Sequence, residues 1–176
     1  MAGLQYNFCA GTGRLRRVLR PGFICATHIG ADMELTELFN QMPFVQHLGI
    51  EVTEASDGFA EARLPFSDDL RSHHSGSVAH GGATYGLADT TGGAAVISMT
   101  GDVTPTVDMR IEYLSPTTTD LIATAELIRY GSSLAIAHVD VEDTDGTRVA
   151  TAQGTYKTGG QGEDTPWGPD ADEVSK

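Results

Sequence analysis

The sequence predicts an α+β fold in which an antiparallel β-sheet packs against one long helix. The long helical candidate, residues 80–98, contains five glycines and several alanines. Short alternating segments separated by turn residues precede and follow it, two before the helix and four after it. So many strands and one long helix favour a single sheet whose apolar face is covered by that helix.

Turn and cap signals locate the elements before the long helix. Residues 34–41 are typical of a short helix that ends before Pro43. Residues 48–55 and 58–64 alternate as strands do, and the turn Ser56-Asp57-Gly58 between them predicts a hairpin. A polar loop then leads to the long helix.

Four strands are predicted after the long helix. Residues 103–114 place Val107, Met109, Ile111 and Tyr113 on one face, and Thr106, Asp108, Arg110 and Glu112 on the other. The remaining strands are residues 121–130, 134–142 and 147–157, the last entered through the turn Asp145-Gly146.

Both ends of the chain differ from the rest. Residues 1–32 contain four arginines and one acid, Asp32. We interpret this segment as a disordered extension or the result of a start codon upstream of Met33, with a surface tether or a targeting piece as alternatives. Residues 158–176 are rich in glycine, proline and acids, which predicts a disordered acidic tail. The working domain is therefore residues 33–157.

Composition excludes several classes of protein. The net charge of −13 and the pI near 4.6 argue against binding to a nucleic-acid backbone. No apolar run approaches the roughly 18 residues of a membrane helix, and no secretory signal is visible. The two cysteines, Cys9 and Cys25, cannot form a disulfide scaffold. We expect a cytoplasmic protein with no nucleic-acid or membrane partner.

The acidic surface also favours adaptation to high salt. Only two lysines are present, Lys157 and Lys176, against 24 acidic residues. In molar salt the Debye length falls to about 3 Å, so that repulsion between these acids is screened. The sequence therefore suggests a halophilic protein.

The candidate catalytic groups are concentrated on the long helix. Asp89 shares one helical face with Gly82, Gly86 and Gly93, where a ligand or a second backbone can approach closely. The helix begins at His80-Gly81-Gly82, where unpaired N–H groups and the helix dipole favour a carbonyl oxygen. Asp89 lies about 12 Å along the helix axis from Gly81, which is too far for both groups of one chain to flank one carbon. We expect a second subunit to supply the carboxylate.

Three segments together resemble the hotdog-fold acyl-CoA thioesterases, especially the phenylacetate-degradation (PaaI-like) type. They are His80-Gly81-Gly82, Leu87-Ala88-Asp89, and the strand from Thr106 to the Tyr-Leu-Ser-Pro sequence that ends at Pro116. The resemblance covers about residues 40–157. It implies a hotdog fold, an antiparallel sheet wrapped around one long central helix, with active sites between the chains of a homodimer or homotetramer.

The resemblance also implies roles for individual residues. The Gly81 N–H would bind the thioester oxygen beside His80 and Gly82. Asp89 of the other chain would act as general base or as nucleophile, two roles that the family leaves open. Thr106 falls where a Ser or Thr helps to orient the attacking water. The implied substrate is an acyl-CoA, with no metal and no cofactor.

Two positions depart from the family's pattern. His74 stands where the family often has an Asn, and it could take that role. Ser132 stands where a basic residue often contacts the CoA phosphates, which leaves Arg71, Arg110 or Arg129 as substitutes.

The sequence fits three other functions less well than thioester hydrolysis. The three histidines His73, His74 and His80 do not have the spacing of a zinc site. A hydratase or dehydratase on acyl thioesters would need a different pairing of His and acid. A non-catalytic acyl-CoA-binding module would not depend on Asp89.

Overall fold

The fold is a single six-stranded antiparallel sheet packed against one long helix. The computed structural model describes residues 34–159, so the predicted extension 1–32 and residues 160–176 of the predicted tail lie outside the described residues. The strands are β1 (Glu51–Ser56), β2 (Phe59–Leu64), β3 (Thr106–Tyr113), β4 (Leu121–Tyr130), β5 (Leu134–Asp143) and β6 (Arg148–Lys157). Their order in the sheet is β1-β2-β4-β5-β6-β3, so β1 and β3 are the edge strands. This is the predicted α+β arrangement.

The long helix, α3 (Gly81–Thr100), packs against all six strands. His80, the first residue of the predicted helix, is its N-cap, and the helix extends to Thr100 rather than to residue 98. Gly101, which adopts the left-handed conformation with φ 68°, caps its end. No helix within residues 34–159 combines the length and the hydrophobicity needed to cross a bilayer.

Small side chains allow α3 to lie close to the sheet. The inner faces of the central strands are built from buried residues such as Ala62, Ala123, Ala125, Ala137 and Val139. A Cβ at Gly92 would lie 2.2 Å from the Tyr156 hydroxyl, and a Cβ at Gly86 would lie 2.8 Å from Leu48 Cδ1. Close packing therefore explains two of the glycines that are otherwise unfavourable in a helix.

The β1–β2 hairpin forms where the sequence predicts it. Asp57 and Gly58 have φ values of 51° and 80°, which is the pattern of a type I′ turn. Gly58 N–H also donates to Ser98 Oγ at 2.9 Å, so the turn is attached to the end of α3.

Two short helices precede the sheet, whereas the sequence predicts one. The first, α1 (Leu35–Asn40), agrees with the prediction, but α2 (Pro43–Leu48) was missed, and β1 begins at Glu51 rather than at Leu48. Pro43 starts α2 in addition to ending α1, because proline is favoured in the first turn of a helix. Gly49, with φ 75°, caps the other end.

The predicted alternation along β3 is correct only from Met109 onward. The pairing with β6 shifts by one residue between Thr106 and Asp108, which is a β-bulge. Thr106 is therefore directly opposite Tyr156, a buried residue on the helix side of the sheet. The prediction that Thr106 lies on the face opposite Met109 and Ile111 was wrong, because the bulge reverses the alternation at this end of the strand.

Candidate active site

The first turn of α3 is held in place by its cap residue. His80 precedes the helix in an extended conformation, and its Nδ1 accepts a hydrogen bond from Gly82 N–H at 2.9 Å. His80 N–H donates to the Leu70 carbonyl at 2.7 Å, so the loop before the helix is tied to the helix start. The cap leaves the side chain of His80 exposed beside Gly81.

Gly81 carries an unused donor at this helix start. Within residues 34–159 its N–H donates no hydrogen bond, whereas the N–H of Gly82 is occupied by His80. An open cavity of about 330 Å³ adjoins Gly81, and its lining includes Thr84, Tyr113 and Pro116. An N–H at the positive end of a helix dipole can stabilise negative charge that develops on a carbonyl oxygen.

The carboxylate candidate, Asp89, lies halfway along α3. It is half-buried, and its Oδ1 accepts a hydrogen bond from Thr106 Oγ1 at 2.9 Å. Burial raises the pKa of Asp89, and the hydrogen bond from Thr106 opposes that rise. A partly desolvated carboxylate with one hydrogen-bond donor is a stronger base than a fully solvated one.

The bulge in β3 is what brings Thr106 to Asp89. Without the extra residue, the strict two-residue alternation would turn Thr106 to the opposite face of the sheet. Asp89 and Thr106 are therefore brought together within one chain, at the end of the sheet where β3 begins.

Other candidates are not part of this cluster in a single chain. His74 is exposed in the loop before α3, and its ring lies against that of His73, with centroids 4.2 Å apart. Arg129 and Ser132 are exposed beside the β4–β5 turn, which is at the Thr106 end of the sheet, far from Gly81. One chain therefore divides the candidate residues between the two ends of the sheet.

Comparison with known proteins identifies the family. The thioesterase superfamily model matches residues 76–150, which include His80, Gly81, Asp89 and Thr106. A protein of Halobacterium salinarum that carries an esterase designation is 36% identical over 122 residues, or 62% of this chain and 80% of the relative. The chain belongs to the thioesterase superfamily.

Two further relatives carry more specific descriptions. The medium/long-chain acyl-CoA thioesterase YigI of Salmonella typhimurium is 27% identical over 134 residues, which are 67% of this chain and 86% of that protein. The crystal structure of a hypothetical thioesterase from Streptococcus pneumoniae with coenzyme A is 25% identical, with a TM-score of 0.58 over 64% of this chain and 87% of that one. These comparisons confirm the predicted hotdog fold and support thioester hydrolysis as the general chemistry.

Three tyrosines border the candidate residues of this thioesterase, and none of them was predicted as a catalytic or CoA-binding residue. Tyr113 donates from its hydroxyl to the Gly81 carbonyl at 2.9 Å. Tyr156 is fully buried, and its hydroxyl approaches the Asp89 carbonyl at 3.5 Å. Burial, followed by the charges of Asp89 and Asp108, raises the pKa of Tyr85. The helical spacing of Tyr85 and Asp89 was visible in the sequence, but the contacts of Tyr113 and Tyr156 depend on the sheet register.

Proposed function

We propose that this thioesterase hydrolyses acyl-CoA to free CoA and a carboxylic acid at two symmetric sites in a homodimer. Each site would combine Asp89 and Thr106 of one subunit with Gly81 of the partner subunit. The proposal rests on two groups at opposite ends of β3. One is the Gly81 N–H, which donates no hydrogen bond within residues 34–159, and the other is the partly desolvated carboxylate of Asp89. Support for CoA comes from the YigI relative and from the solved relative that contains coenzyme A.

The position of β3 explains why two chains are needed. β3 is an edge strand that begins at Thr106, beside Asp89, and ends at Tyr113, beside Gly81. If two copies of β3 pair antiparallel, the Thr106 end of one lies next to the Tyr113 end of the other. Asp89 of one subunit then faces Gly81 of its partner, and the symmetry of the dimer produces this arrangement at two sites.

The exposed side chains of β3 support this pairing. Val107 and Tyr113 are 59% and 53% exposed in the single chain, which is unusual for large apolar residues on an edge strand. A second copy of the chain would cover them and would pair the free backbone groups of the edge. Whether two such dimers associate into a tetramer stays a prediction.

In the proposed reaction, the thioester oxygen accepts a hydrogen bond from the Gly81 N–H. In one route, Asp89 takes a proton from water while the water oxygen adds to the thioester carbon. The C–S bond then breaks, the sulfur takes up a proton, and the acid is released. In the other route, the Asp89 carboxylate attacks the carbon itself, the C–S bond breaks, and CoA leaves as a thiolate that takes up a proton. Water then hydrolyses the resulting anhydride, which releases the acid and restores the Asp89 carboxylate. Thr106 holds the carboxylate in either route.

Arg129 and Ser132 are proposed as contacts for the CoA phosphates, and His74 as a contact near the thioester. The exposed β4–β5 turn lies at the Thr106 end of each chain. In the dimer this turn would border the site that contains Asp89 of the same chain. The reaction needs no cofactor and no metal. Because coenzyme A thioesters are intracellular metabolites, cytoplasmic location is part of the proposal.

The test is release of thiol from a panel of acyl-CoAs by wild type, Asp89→Asn and Asp102→Asn. Asp102 is an exposed Asp that follows α3 and serves as the matched control. We expect Asp89→Asn to lower kcat by at least about 10²-fold, in the usual range for a general base, and Asp102→Asn to leave it unchanged. Binding of acyl-CoA without turnover by wild type would overturn catalysis in favour of a binding module.

The same assay in low and molar KCl tests the salt adaptation. We expect activity and the unfolding temperature to rise with salt, because screening reduces repulsion among the acids. Equal stability at both concentrations would contradict a halophilic protein.

A further inference from the structure

Tyr113 is attached to the glycine that carries the proposed oxyanion donor. Its hydroxyl donates to the Gly81 carbonyl at 2.9 Å. Its ring also covers the glycine, since a Cβ at Gly81 would lie 3.2 Å from Tyr113 Cζ and 3.3 Å from both Cε1 and the hydroxyl. One side chain therefore fixes Gly81 by a hydrogen bond and by packing.

The strand end that carries Tyr113 is itself held firmly. The N–H groups of Leu114 and Ser115 both donate to the Val149 carbonyl, at 2.8 and 3.2 Å. Burial, and then the neighbouring Tyr85, raises the pKa of Tyr113, so the hydroxyl remains a donor at neutral and mildly alkaline pH. The sheet thus provides a fixed reference point for the first turn of α3.

The peptide unit that follows Gly81 is held at both of its polar groups, because the Gly82 N–H donates to His80 Nδ1 and the Gly81 carbonyl accepts from Tyr113. The Gly81 N–H belongs to the preceding peptide unit, whose carbonyl, that of His80, accepts from the Ala83 N–H at 2.9 Å. Gly81 therefore lies between two restrained peptide units, and its own N–H donates no hydrogen bond within residues 34–159. A donor is most effective in catalysis when its direction is set before charge develops, because no reorganisation is then needed.

We propose that Tyr113 is a positioning residue that sets the direction of the Gly81 N–H toward the thioester oxygen. The inference rests on the proposed function, since it requires Gly81 to act as the oxyanion donor. It also gives β3 a second role: the strand proposed to join two subunits orients the donor that each site requires.

The test compares Tyr113→Phe with Thr53→Val in the acyl-CoA assay. The first change keeps the ring and removes the hydrogen bond, whereas the second removes a hydroxyl on β1, the opposite edge strand of the sheet, that donates to the Glu61 carbonyl at 3.2 Å. We expect Tyr113→Phe to lower kcat about tenfold with KM within about twofold, and Thr53→Val to match wild type. The unfolding temperature of both variants should stay near that of wild type.

Hydrogen exchange of the peptide spanning residues 79–86 provides a readout that does not depend on activity. We expect faster exchange there in Tyr113→Phe and no change in peptides from β4 or β5. If wild type is active and Tyr113→Phe shows unchanged kcat or unchanged exchange, the inference is overturned. An effect on KM alone also overturns it, because that would mean a contact with substrate. An inactive wild type would instead remove the proposed function.

Discussion

The two ends of the proposed site lie on the same helix but use different chemistry. The first turn of α3 provides a backbone donor, the Gly81 N–H, which donates no hydrogen bond within residues 34–159 because the first residues of a helix have no preceding carbonyl to pair with. The middle of the helix provides an ionisable side chain, Asp89, whose reactivity depends on burial and on Thr106. About 12 Å of helix separate them, so each is half of a site. The contrast shows that a single chain can position every group and still lack a complete site.

The largest expected effect comes from removing the backbone donor. Gly81→Pro deletes the N–H while keeping a residue that is favoured at the first helical position, and His80, with ψ 134°, already has a conformation that tolerates a following proline. We expect kcat to fall by about 10²–10³-fold. Gly81→Ala keeps the N–H and adds only the Cβ that meets Tyr113, so it should lose much less. Equal losses in the two variants would mean that packing, and not the donor, matters.

Mixing two inactive variants tests whether the halves belong to different subunits. Heterodimers of Gly81→Pro and Asp89→Asn would contain one intact site and one doubly changed site. After random exchange of subunits, half of the dimers are mixed, so activity should recover to roughly a quarter of the wild-type rate. The measurement is thiol release before and after the variants are unfolded and refolded together. No recovery, with dimers present, would place both groups in one chain.

A smaller effect is expected from the residue that holds the carboxylate. Thr106→Val removes the hydrogen bond that lowers the pKa of Asp89, so that pKa should rise further. The acid limb of the pH–rate profile should shift to higher pH, with a loss of about tenfold or less near neutrality. Thr106→Ser keeps the hydroxyl and should keep the profile. If the acid limb of the pH–rate profile is not shifted in Thr106→Val, Thr106 does not control the pKa of Asp89.

The smallest expected effect is that of Asp89→Asn on stability, which should increase although activity decreases. Because burial raises the pKa of Asp89 in the folded state, its ionised form destabilises the fold at neutral pH. Asp89→Asn should therefore raise the unfolding temperature at pH 7 by a few degrees. The gain should vanish below the ordinary Asp pKa of about 4, where both folded and unfolded chains are protonated. Thermal unfolding across pH checks this, and a gain that persists in acid would exclude ionisation as its cause.

Local patterns were enough to predict most of the fold. The six strands, the long helix and the Asp57-Gly58 turn follow from alternation, helical spacing and turn residues, which act over a few neighbours. The short helix α2 was missed although Pro43 and Gly49 are its start and stop signals, because six residues show too little periodicity to outweigh the apolar segment that follows.

The candidate site was predicted less completely. Asp89 and Gly81 were singled out from the sequence by their unusual surroundings on a glycine-rich helix and by the resemblance to a family. The alternation along β3 placed Thr106 on the wrong face, and the bulge that corrects it leaves no mark in the sequence of the strand. The contacts of Tyr113 and Tyr156 were not predictable at all, since both join residues more than 30 positions apart.

The sequence by itself determined the elements of this protein, its acidic surface, and which residues carry reactive groups. Only the tertiary structure decided which of those groups meet: Thr106 with Asp89, and Tyr113 with Gly81. The physical reason is that periodicity reports the preferences of neighbouring residues, whereas a bulge and a strand order are set by packing of the whole sheet against α3. The edge position of β3, on which the proposed dimer depends, is likewise a property of the sheet as a whole.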